Sequence, residues 1–193
     1  MYQIIKGVHH IHKHKILHRD LKPGNLLVTD NGIIKIADFG LARGFGIPVT
    51  NYSNEVVTLW YRPPDVLLGS KDYMTTIDIW SIGCIFAEMS TGKALFTGLN
   101  DTDQVKKIFK ILGTPKEDDF PGLKKLSGWN PDEFDNYPAQ DLKQYVPNLE
   151  DEGYKLLISM LQTDPDKRIS TEDAMNHPYF DEIRETVLKE IYK

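Results

Sequence analysis

Cysteine is almost missing from this sequence, since Cys84 is the only one among 193 residues. A single thiol excludes an internal disulfide and a cysteine-based zinc cluster. Such a composition fits a reducing compartment. We therefore expect an intracellular protein of the cytoplasm or the nucleus.

Long apolar runs are also missing. The longest uncharged and mostly apolar stretch is Ile79 to Ala87, with Asp78 before it and Glu88 after it. Spanning a bilayer takes about 20 apolar residues, and the first twenty residues lack the apolar core of a signal peptide. We expect no membrane span.

An excess of positive charge is lacking as well. Lysine and arginine total 23, aspartate and glutamate total 28, and the formal net charge is −5. This balance disfavours a nucleic-acid partner bound by a broad basic face. With 40% hydrophobic and 26% charged residues, the chain has the composition of one globular domain and not of a disordered protein.

Hydrophobic spacing predicts a mainly α protein with one short β-hairpin. The hairpin combines the apolar runs Leu26–Val28 and Ile33–Ala37 with an Asp/Asn/Gly turn between them. Thr114 to Glu117 has the form of a capping box and predicts a further helix start, whereas residues 40–72 and 121–149 look irregular. Helices are expected at 2–14, 77–91, 101–112, 152–162 and 171–177, with a tail helix at 181–193 after a domain of residues 1–180.

The strongest chemical signal is the run HRDLKPGN from His18 to Asn25, followed by Asp38-Phe39-Gly40 after the second predicted strand. The probability of a chance match to the first motif is on the order of 10⁻⁸ per start position. The two motifs are similar to the catalytic loop and the metal-binding turn of protein kinases. The alternative is that Asp20 and Asp38 are ordinary turn aspartates.

Phosphoryl transfer explains these residue types, because it depends on positioning and charge neutralisation. The resemblance makes Asp20 the acceptor of the proton from the attacking hydroxyl and places Lys22 on the transferring phosphate. Magnesium takes hard oxygen ligands, which Asn25 and Asp38 offer from the two ends of the hairpin. The cofactors implied are ATP and Mg²⁺, and the residues implied to contact ATP are Lys22, Gly24, Asn25, Leu27 and Asp38.

Residues 38–65, DFGLARGFGIPVTNYSNEVVTLWYRPPD, resemble the activation segment of the cyclin-dependent kinases. The resemblance covers residues 2 to about 180, which corresponds to the C-terminal lobe of the protein-kinase-like α+β fold. FGIPV is similar to cell-cycle members of that family and WYRPPD to transcription-associated members, so the cellular role stays open. The resemblance implies a serine/threonine kinase with protein substrates and a cyclin-type regulatory subunit.

The same resemblance assigns roles within the activation segment. Ser53 is in the position of the activating phosphorylation, and a phosphate there would be met by Arg19 and Arg43. The alternative is an unmodified loop serine. Thr58 is expected to bridge the catalytic aspartate and lysine.

Substrate choice is expected to depend on a proline pocket. Arg62 is expected to engage the backbone carbonyl near Val57, so that a proline after the target residue loses no hydrogen bond. The targets would then be Ser/Thr-Pro sequences. The alternative for Arg62 is a surface salt bridge.

Three further residues are implied to be structural. Asp78 would be a buried acid that holds the backbone of the catalytic loop, besides supplying negative charge at a helix N-terminus. Arg168 would pair with Asp65, which stands where the family usually has glutamate. Because aspartate is one methylene shorter, we expect this pair to be longer or bridged by water.

Five histidines lie between His9 and His18. They suggest either a solvated helix end or a metal site. We favour the solvated end, because His9 and His10 cannot share one helix face.

The glycine-rich cover, the strand lysine and the helix glutamate of the kinase N-terminal lobe are not found in these residues, so we expect that lobe to be absent. Stand-alone turnover would then be very weak, and the apolar surface facing that lobe would be exposed. The alternative function is a catalytically incomplete lobe that acts as a binding or regulatory module.

Overall fold

The computed structural model describes residues 1–41, 43–44, 59–72, 74–184 and 186. Within these ranges the protein is mainly helical, with two small antiparallel sheets of two strands each. No helix in this part of the chain is long and apolar enough to cross a bilayer. The helices are α1 (Tyr2–Lys13), α2 (Pro64–Leu67), α3 (Thr76–Thr91), α4 (Asp101–Leu112), α5 (Asp151–Met160) and α6 (Thr171–Met175). The strands are β1 (Ile16–Leu17), β2 (Leu26–Val28), β3 (Ile34–Ile36) and β4 (Arg43–Gly44).

The central helix is α3, which is apolar on every side. Its residues from Ile77 to Ala87 are all buried, Cys84 among them, and burial raises the pKa of the Cys84 thiol. Close packing against the end of α5 requires Gly83, since a Cβ there would lie 2.8 Å from a methyl of Leu161. The helix ends at Gly92, whose φ of 74° closes it in the left-handed conformation.

The first helix covers this core from one side. Ile4, Ile5 and Val8 of α1 recur at helical spacing and are buried. The helix packs on α6 and on β3. Lys15 then adopts a φ of 60°, which turns the chain from the helix into β1.

The predicted hairpin is confirmed. β2 pairs with β3 in the register Leu26 with Ile36 and Val28 with Ile34, and Gly32 turns the chain with a φ of 75°. The side chain of Gln3 in α1 accepts from the backbone N–H of Ile34 at 2.8 Å. The hairpin is therefore fastened to the helical body.

Residues 40–72 are predicted to be irregular, but the structure contains two regular elements there. β4 pairs with β1 and forms a second small sheet, with Ile16 opposite Gly44. The short helix α2 follows Pro63, which precedes its first turn. Strands of two residues are too short for any alternation of polar and apolar positions to be visible.

The helix start predicted from Thr114 to Glu117 is wrong, because residues 114–116 have no regular structure and residues 117–119 form a turn. The Thr114 hydroxyl donates to the carbonyl of Asp135 at 2.6 Å and accepts from the N–H of Tyr137 at 3.0 Å. Glu117 accepts from the N–H of Gly122 at 2.9 Å. Both side chains of the predicted capping box therefore bond backbone groups of neighbouring loops instead of each other's backbone N–H groups.

The last predicted helices are present, with shifted ends. α6 begins after Ser170, whose hydroxyl accepts from the N–H of Asp173 at 3.0 Å, as its N-cap role requires. Residues 181–183 form turns and residues 184 and 186 are helical. The rest of the predicted tail helix lies outside the described residues.

Candidate active site

The carboxylate of Asp20 is the centre of the candidate site. Asp20 is only 7% exposed, and its Oδ2 lies 3.1 Å from the Nζ of Lys22. The side-chain amide of Asn25 donates to the Asp20 backbone carbonyl at 2.8 Å and to Oδ2 at 3.2 Å. The other oxygen, Oδ1, is buried and accepts no hydrogen bond from the described residues. One oxygen is therefore held by two side chains, and the other is buried without a hydrogen-bond partner among the described residues.

Asn25 is buried at the start of β2, where the 3₁₀ turn Pro23–Asn25 delivers it. Because its amide nitrogen is directed at Asp20, its carbonyl oxygen is the atom left for a ligand. The turn thus places a positively charged amine and an amide N–H donor around one carboxylate, and leaves the amide oxygen of Asn25 for a ligand.

Asp38 is held beside this group by the end of the hairpin. The N–H of Ala37 donates to the carbonyl of Asn25 at 2.9 Å, and the ring of His18 bonds the Ala37 carbonyl at 2.9 Å. Asp38 itself is exposed and has a φ of 61°, a conformation that non-glycine residues seldom adopt. Its Oδ1 accepts from the N–H of Gly40 at 3.3 Å. Residues other than glycine with a left-handed backbone, as Asp38 has, are concentrated at functional sites.

Asp78 of α3 holds the backbone at the start of the HRDLKPGN motif. Its side chain is fully buried, its Oδ2 accepts from the N–H of His18 at 2.9 Å, and its Oδ1 accepts from the N–H of Arg19 at 2.8 Å. Arg19 has a φ of 68°. The two bonds therefore hold the backbone in a conformation that it would otherwise avoid.

The expectation that the histidines form a solvated helix end is wrong for His12 and His18, which are buried, and His9 is only partly exposed. His12 is buried and its Nε2 lies 2.8 Å from Asp78 Oδ2. His18 is also buried, and its ring lies 5.0 Å from that of Phe39. His9 meets the hydroxyl of Thr171 at 3.0 Å. The sequence contained a signal for His12, because it continues the apolar face formed by Ile5 and Val8.

The electrostatics of His9 follow from its place between α1 and α6. Partial burial lowers its pKa below the model-compound value of 6.5, and the positive charge of Lys13 lowers it further. The carboxylate of Glu172 acts in the opposite direction. The neutral form of His9 is therefore the form that the folded protein favours.

Asp65 and Arg168 are in direct contact, contrary to the expectation of a longer or water-bridged pair. The guanidinium also donates to the carbonyls of Gln162 at 2.8 Å and Thr163 at 3.1 Å. It lies over the ring of Trp80, 5.1 Å from the centroid. These backbone carbonyls position the Arg168 guanidinium close enough to contact Asp65 directly, although aspartate is shorter than glutamate.

The segment before α2 is tied to the start of α4. The indole N–H of Trp60 donates to the carbonyl of Gly98 at 3.0 Å, and the amide of Gln104 donates to the Trp60 carbonyl at 3.2 Å. Arg62 follows, mostly buried, with its guanidinium 3.9 Å from the carboxylate of Asp101. This ion pair is the alternative role named for Arg62, and its expected partner Val57 lies outside the described residues.

The remaining predicted residues are distributed as follows. Gly24 is exposed, with open space where a Cβ would be. Leu27 is 55% exposed, and Val28 and Phe39 are also exposed apolar side chains. Arg19 is buried beside Asp20. Ser53, Val57, Thr58 and the side chain of Arg43 lie outside the described residues.

A cavity of about 610 Å³ lies elsewhere, between residues 112–116, 136–139 and 162–164. Lys167 and Asp119 line it with opposite charges. The cavity does not include the side chains grouped around Asp20.

A fixed carboxylate, an adjacent amine and two oxygen ligands form an arrangement typical of phosphoryl-transfer enzymes. A family model for the protein kinase domain matches residues 1–180. The chain therefore belongs to the protein kinase family. Membership makes it a kinase, a transferase whose substrates are proteins and whose family generally uses ATP and Mg²⁺.

Proposed function

We propose that the described residues correspond to the C-terminal lobe of a serine/threonine kinase of the cyclin-dependent type. It would transfer the γ-phosphoryl group of ATP to serine or threonine in protein substrates. The observation that carries this proposal is the group formed by Asp20, Lys22 and Asn25, with Asp38 held next to it by the hairpin.

The residues present fit magnesium and ATP. The Asn25 carbonyl oxygen and the Asp38 carboxylate are hard oxygen donors of the kind that Mg²⁺ prefers. Lys22 supplies a positive charge beside them, and exposed Leu27 offers an apolar surface to a nucleotide base. When bound, Mg·ATP supplies the transferable phosphoryl group and neutralises its charge.

The bonding around Asp20 suggests which oxygen accepts the proton. Lys22 and Asn25 both engage Oδ2, whereas Oδ1 has no partner among the described residues. Oδ1 is therefore the atom that we assign to the substrate hydroxyl.

Residue types support the finer assignment. Lys22 stands where the serine/threonine branch of the family has lysine, and Arg62 with Val57 forms the proposed pocket for a proline after the target residue. Ser53 is the proposed activating phosphosite, with Arg19 and Arg43 as its partners, and Thr58 the proposed bridge to Asp20 and Lys22. A cyclin-type subunit is the proposed regulatory partner.

Nucleotide binding tests the site. We expect Mg²⁺-dependent binding of ATP, measured by isothermal titration calorimetry, to weaken at least tenfold in Asp38→Asn. The matched control is Asp30→Asn, which changes an exposed aspartate in the hairpin turn. Equal affinities for the two variants would contradict the proposed metal ligand.

Peptide phosphorylation tests the substrate class. We expect any phosphate incorporated from labelled ATP to require Asp20 and to favour a Ser-Pro peptide over the same peptide with alanine after the serine. The Asp20→Asn variant is the negative control. Peptide binding without any nucleotide binding would instead favour the alternative of a regulatory module.

A further inference from the structure

Two exposed histidines face each other on the last turn of α1. His10 and His14 are four residues apart, and the centroids of their rings are 4.4 Å apart. Both are exposed, and neither has a role in the kinase site described above. Histidines at this spacing on one helix face are a recurrent way of binding transition metals.

The tautomer of His14 is fixed by the helix backbone. Its Nδ1 lies 2.8 Å from the carbonyl oxygen of His10. A carbonyl oxygen only accepts, so Nδ1 carries the proton and Nε2 carries the free lone pair. This second hydrogen bond is what usually orients a metal-binding histidine.

We propose that His10 and His14 form a surface site for a divalent transition-metal ion, with Cu²⁺ and Ni²⁺ as the preferred ions. The site has two imidazole ligands and leaves the remaining positions to water. Mg²⁺ prefers oxygen ligands and is not expected to compete. The site is therefore separate from the proposed nucleotide site in both place and chemistry.

The ring separation supports this choice of ion. A metal lies about 2.0–2.1 Å from each imidazole nitrogen, and each ring centre is about 1.1–1.2 Å beyond the nitrogen. When the two metal–nitrogen bonds form a right angle, the ring centres are about 4.5 Å apart. When they form the tetrahedral angle, the centres are about 5.2 Å apart. The observed centroid separation of 4.4 Å is closer to the first value, and the right angle is the one that square-planar and octahedral Cu²⁺ and Ni²⁺ prefer.

Two features limit the strength of the site. Among the described residues no three His, Cys, Asp or Glu side chains converge on a point that would hold a metal. Lys13 and Lys15 are close in sequence and repel a cation, although water and salt screen exposed charges at this range. We therefore expect binding of a two-ligand surface site, weaker than that of a closed structural zinc site.

Metal binding has a consequence for the neighbouring chain. The backbone N–H of His14 bonds the carbonyls of Ile11 at 3.0 Å and His10 at 3.3 Å, which closes the helix. An ion shared by His10 and His14 would clamp this last turn, just before the chain enters β1. Because the clamp exists only in the folded state, the ion should raise the unfolding temperature.

The test is calorimetric titration of the full chain with NiCl₂ and CuCl₂ at pH 7.5. We expect one equivalent to bind, and binding to weaken at least tenfold in both His10→Gln and His14→Gln. The matched control is His177→Gln, which removes a histidine outside this pair and should bind as the unaltered protein does. Binding should also weaken at pH 5.5, since protons compete for the imidazoles.

Unfolding temperatures without metal check that the variants are folded, which their exposed positions lead us to expect. Adding NiCl₂ should raise the unfolding temperature of the unaltered protein and of His177→Gln, and leave both pair variants unshifted. The proposal is overturned if no equivalent of Ni²⁺ or Cu²⁺ binds, or if the pair variants bind as tightly as the control.

Discussion

Arg168 donates to the carboxylate of Asp65 inside the protein, across 103 residues of sequence. Both side chains are almost completely buried. The pair joins the residues before α6 to α2, at the end of the stretch that follows the hairpin. It is therefore a long-range tie between the helical body and the segment leading from the candidate site.

Removing one partner of this pair should be costly. In Arg168→Ala the Asp65 carboxylate remains buried without its cation, which typically costs about 3–5 kcal/mol of unfolding free energy. We expect a much lower unfolding temperature, measured by circular dichroism or calorimetry. Lys155→Ala is the control, because its pair with Glu152 is exposed and exposed ion pairs contribute little to stability. An unchanged melting curve for Arg168→Ala would refute a stabilising role for the pair.

Asp78 should control the backbone of the catalytic loop. In Asp78→Asn one carboxylate oxygen becomes an NH₂ group, which cannot accept from an amide, so either the His18 or the Arg19 N–H loses its acceptor. A buried donor without a partner costs about 1–3 kcal/mol.

Hydrogen exchange gives a local measurement of this effect. Exchange at the His18 and Arg19 amides should accelerate in Asp78→Asn more than exchange in the middle of α5. Asp30→Asn again serves as the exposed control. If only global stability changed, with both amides protected relative to α5, the anchoring role would be wrong.

The features predictable from sequence are those encoded by local spacing. α1 and α4 follow their apolar repeats, α3 follows its continuous apolar run, and Gly92 and Ser170 mark helix ends as expected. The hairpin follows its turn residues. In each case the signal and the structure lie within a few residues of each other.

The features that sequence missed depend on distant partners. His12 is buried because Asp78 reaches it from another helix, and Thr114 bonds Asp135 and Tyr137 instead of capping a helix. The pairing of β1 with β4 joins segments separated by the whole hairpin. Within the candidate site, the motifs indicated Asp20 and Asp38, but not which oxygen of Asp20 is held by Asn25.

The stability of the folded protein should depend on the protonation of His9. Its pKa is lowered in the folded state, by partial burial first and then by Lys13. The unfolded chain therefore binds more protons as the pH falls through 6.5, and folding is disfavoured there. We expect the unfolding free energy to fall between pH 7.5 and pH 5.5, and to fall less in His9→Gln.

Denaturant titrations at the two pH values measure this difference. Subtracting the pH dependence of the variant from that of the unaltered protein cancels the contribution of the other titrating groups. His177→Gln is the matched control and should keep the full dependence on pH. If the unfolding free energy of His9→Gln fell between the two pH values by as much as that of the unaltered protein, His9 would not be the source of the pH dependence.

Gly98 should be indispensable to the network that positions Trp60. An added Cβ would lie 2.5 Å from the Cα of Gln104, a backbone atom that cannot move aside. The same change displaces the carbonyl that accepts from the Trp60 indole. Overpacking of this kind costs about 1–3 kcal/mol, and we expect Gly98→Ala to lower the unfolding free energy by that amount in denaturant titrations.

Gly24→Ala is the control, since open space surrounds Gly24, and it should leave stability nearly unchanged. Equal stability of the two variants would mean that the contact between residues 98 and 104 relaxes freely.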